Sequence, residues 1–287
     1  MTLVYMFPGQ GSQRVGMGRE LFARFPDRLA EADRVLGYSV RELCLRNPQE
    51  RLGQTAFTQP AVYVVNALSY AAARADGRPS PAAAVGHSLG EYNALEAAGV
   101  FGFAEGLRLV AARAESMSRV TDGGMCAVIG MDEAVIRLLL RRAGLETVKV
   151  ANYNTADQTI IGGPVAKLEA AATLLKNAGA RGVRQLPVSG PFHTAHMSAA
   201  AEEFGRVLGR TPLSAPAFPV LANRTARPHS AEDLAVALTE HIDHPVLWRQ
   251  SIEALLDTDP DTVFEELGDS TVLTRMLRAI RTERTAR

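Results

Sequence analysis

The sequence predicts an α/β fold in which a small α+β subdomain interrupts a larger α/β subdomain. Apolar runs at residues 3–7 and 81–85 each lead into a glycine-rich turn, which is typical of buried parallel strands. Residues 125–188 instead alternate as strand, helix, strand, strand, helix and strand, the split pattern of a ferredoxin-like unit. We therefore assign residues 1–124 and 189–287 to the large subdomain and residues 125–188 to the small subdomain.

The elements of the large subdomain follow from apolar periodicity and from the glycines that interrupt it. The predicted elements are a strand at residues 3–7, helices at 18–35 and 60–74, a strand at 82–85, a helix at 89–98 and, after the small subdomain, a helix at 194–208 and a strand at 219–222. Gly99 is expected to stop the helix before it, since glycine favours the left-handed conformation found at helix ends.

The small subdomain is bounded by glycine-containing turns, Asp122-Gly123-Gly124 before it and Ser189-Gly190-Pro191 after it. Its predicted elements are strands at residues 125–129, 148–151, 159–161 and 183–188 and helices at 133–143 and 165–178. A cleft between an inserted unit and its host is a natural place for a binding site. We therefore expect the active site between the two subdomains.

The composition is that of an ordinary globular chain: of 287 residues, 47% are hydrophobic and 22% are charged. The formal net charge is zero, so nothing favours a nucleic-acid partner. No segment approaches the ~18 apolar residues of a membrane span, and residues 3–7 are too short for a signal peptide. Cys44 and Cys126 form no metal-binding spacing. We expect a cytoplasmic monomer that needs no metal.

Ser88 is the strongest candidate for a nucleophile. It lies in Gly86-His87-Ser88-Leu89-Gly90, a G-x-S-x-G pentapeptide between a predicted strand and a predicted helix. Such a turn exposes the serine at its apex, and the two glycines let the backbones pass without Cβ clashes. A G-x-S-x-G turn between a strand and a helix is typical of α/β-hydrolases, so we expect the large subdomain to be α/β-hydrolase-like.

A serine nucleophile needs a base, which is usually histidine. The candidates are His87, His193, His196, His229, His241 and His244. His87 is expected to point away from Ser88, and His229 to lie in a surface loop. His193 is favoured because it stands where the chain returns from the small subdomain, and His196, one helical turn on, is the second candidate.

Six motifs occur in order along the chain and resemble those of the malonyl-CoA:acyl-carrier-protein transacylases, a family that includes the acyltransferases of polyketide synthases. They are F-P-G-Q-G-S-Q at residues 7–13, T-Q-P-A at 58–61, G-H-S-L-G-E-Y at 86–92, A-R with a later Met at 112–117, A-N-Y-N at 151–154 and V-S-G-P-F-H at 188–193. The resemblance extends from residue 3 to about residue 275.

The resemblance implies the catalytic machinery. Ser88 would carry the acyl group and His193 would be its base, oriented by the backbone carbonyl of His241. Many relatives have glutamine where this chain has His241. The backbone N–H groups of Gln10 and Leu89 would form the oxyanion hole.

The resemblance also implies the acyl group. Arg113 would bind the malonyl carboxylate, and Gln59 would line the same pocket. Asn152 and Asn154 would face the substrate from the small subdomain, although they could equally satisfy turns of their own backbone. Phe192 implies that the acyl group is malonyl rather than methylmalonyl, because its ring fills the space that an α-methyl group would need. A single methyl contrast is worth only ~1–3 kcal/mol, so we expect preference rather than exclusion.

The implied reaction is a ping-pong transfer from malonyl-CoA to the phosphopantetheine thiol of an acyl carrier protein, with no bound cofactor. Two alternatives stay open: an acyl-thioester hydrolase that clears stalled carrier proteins, and a catalytically silent docking protein. The chain length predicts a free-standing enzyme of fatty-acid or polyketide synthesis.

The carrier protein is expected to be acidic, and the C-terminal segment is rich in arginine. Its arginines recur every third residue and would wind around a helix rather than share one face. They are Arg275, Arg278, Arg281, Arg284 and Arg287. The spacing therefore predicts a frayed, solvated tail rather than a docking surface.

Overall fold

The first apolar run forms strand β1 (Leu3–Phe7) at the middle of a parallel sheet, in a computed structural model that describes residues 2–285. Its residues from Val4 onward are buried, as expected where helices cover both faces of a parallel sheet. β1 pairs with β2 (Ala83–Gly86) on one side and with β8 (Val263–Glu266) on the other. The short β7 (Val220–Leu221) extends the sheet beyond β2.

The small subdomain contains the second sheet. Its strands are β3 (Gly124–Ile129), β4 (Lys149–Tyr153), β5 (Gln158–Gly163) and β6 (Gly182–Gln185). They are ordered β4-β5-β3-β6, and every pairing is antiparallel. This is the strand order that a split β-α-β-β-α-β unit produces. The predicted fold class, a parallel α/β unit interrupted by a ferredoxin-like unit, is confirmed.

The helices connect and cover the strands. They are α1 (Arg19–Arg24), α2 (Pro26–Leu36), α3 (Val40–Arg46), α4 (Thr55–Ala75), α5 (Gly90–Ala97), α6 (Phe103–Ser118), α7 (Glu133–Arg142), α8 (Val165–Asn177), α9 (Ser198–Leu208), α10 (Leu234–Glu240), α11 (Trp248–Thr258) and α12 (Val272–Thr285). Two short 3-10 segments lie at Pro48–Gly53 and Ala195–Met197.

Strand β3 divides its side chains between two environments. Cys126 and Val128 belong to the core that α7 and α8 cover, together with Ile161. Met125 and Ala127 point the other way and line the cleft toward the large subdomain. Because side chains alternate along a strand, one face of the small sheet is left to form a wall of the cleft.

Helix boundaries differ from the prediction at three places. The helix predicted at residues 194–208 begins at Ser198, after the 3-10 segment at Ala195–Met197. The helix predicted at residues 18–35 is two helices, because Pro26 begins a new helix at a position where its missing N–H costs nothing. The helix predicted at 60–74 begins earlier, at Thr55, so that Pro60 lies inside its second turn.

The C-terminal segment is not the frayed tail that its arginine spacing predicted. Helix α12 buries Leu273, Leu277 and Ile280 in the core beside β1. Arg281 donates to the Thr262 carbonyl at 2.6 Å, and Arg284 lies 2.7 Å from an Asp257 oxygen. The prediction was wrong because the apolar residues, not the arginines, decide the packing. Arg287 lies outside the described residues.

No helix in the described part of the chain has the length and apolar character needed to cross a membrane.

Candidate active site

The turn around Ser88 depends on its two glycines. Ser88 connects β2 to α5 with φ of 52°, in the left-handed region that side chains rarely adopt. A Cβ on Gly86 would lie 1.9 Å from the Gly90 carbonyl carbon, and a Cβ on Gly90 would lie 1.9 Å from the Phe7 carbonyl oxygen. The turn therefore stores strain at the serine and holds it at the edge of the sheet.

Asn223, which follows β7, fixes this turn from the side. The Ser88 N–H donates to Asn223 Oδ1 at 2.7 Å, and Asn223 Nδ2 donates to the Gly86 carbonyl at 2.6 Å. Sequence reasoning missed this residue, since a lone asparagine 135 positions from Ser88 carries no local signal. Its backbone contacts make it a positioning residue for the nucleophile.

Ser88 and His193 form a hydrogen-bonded pair. His193 Nε2 lies 2.7 Å from Ser88 Oγ, and His193 Nδ1 donates to the His241 carbonyl at 2.7 Å. Burial, with the fixed positive charge of Arg113 adding to it, holds the pKa of His193 well below its usual range. The ring is therefore neutral, with its proton on Nδ1 and a lone pair on Nε2 for the serine proton.

In the described part of the chain no other histidine side chain has a hydrogen bond to Ser88. His87 Nε2 lies 2.9 Å from Asn154 Oδ1, and burial lowers the pKa of His87 to about 4. His196, the second candidate for the base, is exposed, and its Nε2 donates to the Thr147 carbonyl at 2.8 Å.

The surface placement of His229 was wrong. Its side chain is fully buried, with Nε2 2.7 Å from Glu91 Oε1. The flanking Arg227 and Pro228 are exposed and gave the appearance of a surface loop. The buried carboxylate of Glu91 provides the interaction that draws this histidine inward.

The first glycine-rich loop lies against the nucleophile turn. A Cβ on Gly9 would lie 2.3 Å from the His87 carbonyl oxygen and 3.5 Å from the Leu89 nitrogen. Gln10, the next residue, lines the same cavity as Ser88, and its side chain donates to Thr55 Oγ1 at 3.1 Å. The use of the Gln10 and Leu89 N–H groups as an oxyanion hole stays a prediction.

Arg113 is buried and directly behind the nucleophile, with none of its surface exposed. Its Nη1 donates to Gln59 Oε1 at 2.6 Å, and its Nη2 donates to Ser88 Oγ at 3.1 Å. Burial lowers the pKa of the guanidinium, against the attraction of Tyr92 and Glu91. Within residues 2–285 its Nε has no hydrogen-bond partner. A buried cation held by neutral oxygens is suited to binding an anion.

A cavity of about 360 Å³ opens between the subdomains at Ser88. Ser88, His193, Gln59 and Phe192 lie on its large-subdomain side. The small sheet contributes Asn152 and Asn154, together with an apolar wall formed with neighbouring loops and α12: Met125, Ala127, Ile129, Ile160, Leu186, Val188 and Met276. Arg113 lies behind Ser88, and neither Leu89 nor His241 lines the cavity. The structure thus brings seven of the predicted site residues to one cleft: Gln10, Gln59, Ser88, Asn152, Asn154, Phe192 and His193.

Asn154 has two specific partners in the cleft. Its Oδ1 contacts His87, and its Nδ2 donates to Gln158 Oε1 at 2.9 Å. Asn152 is also buried and lines the cavity. Among residues 2–285 there is no group of three or more His, Cys, Asp or Glu side chains arranged to hold a metal ion.

The acyl transferase domain family model matches residues 4–285. The polyketide biosynthesis malonyl CoA-acyl carrier protein transacylase BaeC of Bacillus velezensis is 45% identical over 284 residues, which are 98% of this chain and 97% of BaeC. The polyketide biosynthesis protein ThaF of Burkholderia thailandensis is 48% identical over 276 residues, 96% of this chain but only 24% of ThaF. A crystal structure of malonyl CoA-acyl carrier protein transacylase from Burkholderia pseudomallei is 44% identical, with a TM-score of 0.96 over 99% of both chains. The chain therefore belongs to the acyl transferase domain family.

Proposed function

We propose that this protein transfers a malonyl group from malonyl-CoA to the phosphopantetheine thiol of an acyl carrier protein, in polyketide or fatty-acid synthesis. The observation that carries the proposal is the position of Ser88 Oγ, which lies 2.7 Å from His193 Nε2 and 3.1 Å from Arg113 Nη2. A base and a cation for the acyl carboxylate thus meet at one hydroxyl. This arrangement suits an acyl group that carries its own negative charge.

In the loading step, Ser88 Oγ attacks the thioester carbonyl while His193 Nε2 takes the hydroxyl proton. The backbone N–H groups of Gln10 and Leu89 stabilise the oxyanion. Collapse of the tetrahedral intermediate breaks the carbon–sulfur bond, and His193 returns its proton to the CoA thiolate. The products are malonyl-Ser88 and free CoA, and the His241 carbonyl keeps the His193 ring in place throughout.

Arg113 selects the acyl group. In the free enzyme its Nη2 is occupied by Ser88 Oγ. Once that oxygen becomes part of an ester, the guanidinium is free to form a paired hydrogen bond with the malonyl carboxylate. Gln59 holds the other end of the guanidinium and keeps it aimed at the serine.

In the second step the thiol of the carrier protein loses its proton to His193 and attacks the carbonyl of the Ser88 ester. The carbon–oxygen bond to Ser88 then breaks, His193 returns the proton to Ser88 Oγ, and the products are the malonyl thioester of the carrier protein and the free serine. The apolar wall of the cavity is suited to the pantetheine arm and limits water around the ester. Attack of water on the Ser88 ester would release free malonate, and the protein would then act as a hydrolase. The buried Arg113 argues against that alternative, because a general thioester hydrolase has little use for a carboxylate partner.

We further propose that the chemistry needs no bound cofactor and takes place in the cytoplasm. The acyl transfer requires only a nucleophile, a base and hydrogen-bond donors, all supplied by side chains and backbone. Cys44 and Cys126 are both buried free thiols, which supports a reducing compartment. The monomeric state stays a prediction.

The test is intact-protein mass spectrometry after brief exposure to malonyl-CoA, methylmalonyl-CoA or acetyl-CoA, with Ser88→Ala as the control. We expect a malonyl adduct on the wild-type protein, none on Ser88→Ala, and transfer of the adduct to added holo carrier protein. Accumulation of free malonate without transfer would instead identify a hydrolase. Equal loading of acetyl and malonyl groups would remove the role given to Arg113.

A further inference from the structure

A second buried polar cluster lies behind His193 and has no place in the mechanism above. It consists of Glu91 on α5 and two histidines from different segments, His229 and His241. His229 Nε2 lies 2.7 Å from Glu91 Oε1, and His241 Nδ1 lies 2.7 Å from Glu91 Oε2. The Asn223 N–H also donates to Glu91 Oε1, at 3.1 Å. The side chains of all three members are buried.

This cluster contacts the reacting residues through His241. The imidazole rings of His241 and His193 are stacked, with centroids 4.9 Å apart and planes 18° from parallel. The same residue supplies the carbonyl that accepts from His193 Nδ1. His241 therefore constrains the base twice, by its main chain and by its ring.

The protonation of the cluster follows from its surroundings. Burial opposes the charge on Glu91, but His241 and His229 together hold its pKa well below the usual range. Burial lowers the pKa of His241, although Glu91 pulls in the other direction. Within residues 2–285 neither ring nitrogen of His241 meets the geometry of a hydrogen bond, but Nδ1 lies 2.7 Å from Glu91 Oε2, which suits a neutral ring with its proton on Nδ1. Glu91 is thus a carboxylate whose Oε1 accepts from the Asn223 N–H and from His229 Nε2, while its Oε2 lies 2.7 Å from His241 Nδ1.

The charges around His193 explain what this carboxylate can do. Arg113 places a fixed positive charge beside Ser88 and disfavours a second positive charge on His193. Yet His193 must become an imidazolium each time it removes the serine proton. Glu91 carries a compensating negative charge, 2.7 Å from the His241 ring that stacks on the base. The 2.7 Å contacts are direct, so no ion lies between the members.

We propose that Glu91 and His241, supported by His229, are positioning residues for the transacylase base. The carboxylate fixes the His241 ring and carbonyl against His193, and its charge stabilises the imidazolium that forms beside Arg113. The proposal rests on the proposed function for the identity of the reaction. It applies equally to any attack by Ser88 that requires His193 as base.

The test compares three variants with a matched control. Glu91→Gln removes the charge, His241→Leu removes the N–H donor toward Glu91, and His241→Gln keeps such a donor without the ring. His196→Gln is the control, since this histidine is exposed and outside the cluster. Each protein is assayed for single-turnover malonyl loading and for labelling of Ser88 by a fluorophosphonate, which needs no malonyl group.

We expect Glu91→Gln and His241→Leu to slow both reactions by about tenfold or more at unchanged KM for malonyl-CoA, since one pKa unit in the base corresponds to a factor of about ten in rate. His241→Gln is expected to restore most of the rate that His241→Leu loses. His196→Gln should match the wild-type protein. Wild-type rates in His241→Leu, or equal losses in His241→Leu and His241→Gln, would overturn the proposal.

A spectroscopic arm covers the case in which Glu91→Gln does not fold. Nitrogen-15 NMR of the histidine-labelled wild-type protein at pH 7 should show His241 as a neutral ring protonated on Nδ1. A cationic ring, or a proton on Nε2, would contradict the proposal without any variant. If the fluorophosphonate labels Ser88 but malonyl-CoA does not load it, the proposed function fails while this inference stands.

Discussion

The Arg113 guanidinium donates directly to the Ser88 hydroxyl, with Nη2 and Oγ 3.1 Å apart. The guanidinium stabilises the alkoxide form of Ser88. The same hydrogen bond occupies Nη2 until the carboxylate of an acyl group replaces the serine hydroxyl as its partner. Replacing Arg113 with Lys keeps the charge but loses the paired geometry. We expect Arg113→Lys to lower kcat/KM for malonyl-CoA about 100-fold, the loss of one charge-assisted bond of about 3 kcal/mol. Acetyl-CoA loading should fall far less.

Steady-state kinetics with both donors measure this difference. Arg108→Gln is the control, because Arg108 lies on the same helix but is exposed and paired with Glu105. Equal losses for malonyl and acetyl donors would show that Arg113 supports the serine rather than the carboxylate.

Phe192 borders the cavity next to His193 and is buried. Phe192→Ser would open space for an α-methyl group on the acyl chain. We expect the ratio of methylmalonyl to malonyl loading to rise about tenfold, since one methyl group in a pocket is worth ~1–3 kcal/mol. Competition between the two CoA esters, read as the mass of the Ser88 adduct, measures the ratio. An unchanged ratio would exclude Phe192 from selection.

Gly90 passes so close to β1 that no side chain fits there. A Cβ would lie 1.9 Å from the Phe7 carbonyl oxygen, which is backbone and has little freedom to move. Gly90→Ala is therefore expected to destabilise the fold by more than about 3 kcal/mol or to abolish Ser88 labelling. Gly53→Ala is the control, because nothing lies within 4 Å of a Cβ at that position. Chemical denaturation of both variants measures the effect.

Glu96 on α5 gives a pH dependence of stability. Burial raises its pKa to about 7, although contacts with Tyr63, Arg28 and Asn93 oppose the shift. Because the pKa of Glu96 is higher in the folded protein than in the unfolded chain, Glu96 keeps its proton in the native state at pH values between 4.5 and about 7, where the unfolded chain has lost it. The stability that Glu96 contributes is therefore fully present below pH 4.5 and declines as the pH rises toward 7.

Glu96→Gln removes this decline. We expect the variant to gain up to about 3 kcal/mol over the wild-type protein at pH 8 and almost nothing at pH 4.5. Urea denaturation at the two pH values measures the difference. Glu20→Gln, an exposed carboxylate on α1, should show no such trend. A gain of the same size at both pH values would assign it to packing rather than to ionisation.

Sequence reasoning succeeded where the determining signal is local. The strands around β1 and the turn at Ser88 follow from apolar runs and glycines that are contiguous in the chain. The break before Pro26 was missed, because periodicity alone continues through it. The docking of α12 was missed because the arginine spacing drew attention away from the buried leucines.

The site divides in the same way. Ser88 could be identified from its pentapeptide, and His193 from topology, but Arg113 only from the family resemblance. Asn223 and the partnership of Glu91 with His229 could not be predicted, since their partners lie more than 130 positions away in the chain. Such contacts exist only after the sheet has formed, and no short pattern encodes them.

The pairing of β8 with β1 has a consequence for synthesis of the protein. During synthesis β1 (Leu3–Phe7) leaves the ribosome well before β8 (Val263–Glu266), and its second edge stays uncovered until β8 has emerged. Until then an apolar strand flanked by one neighbour is open to other chains. Nascent chains are therefore most exposed to misassembly just before β8 emerges, and chaperone demand should peak there.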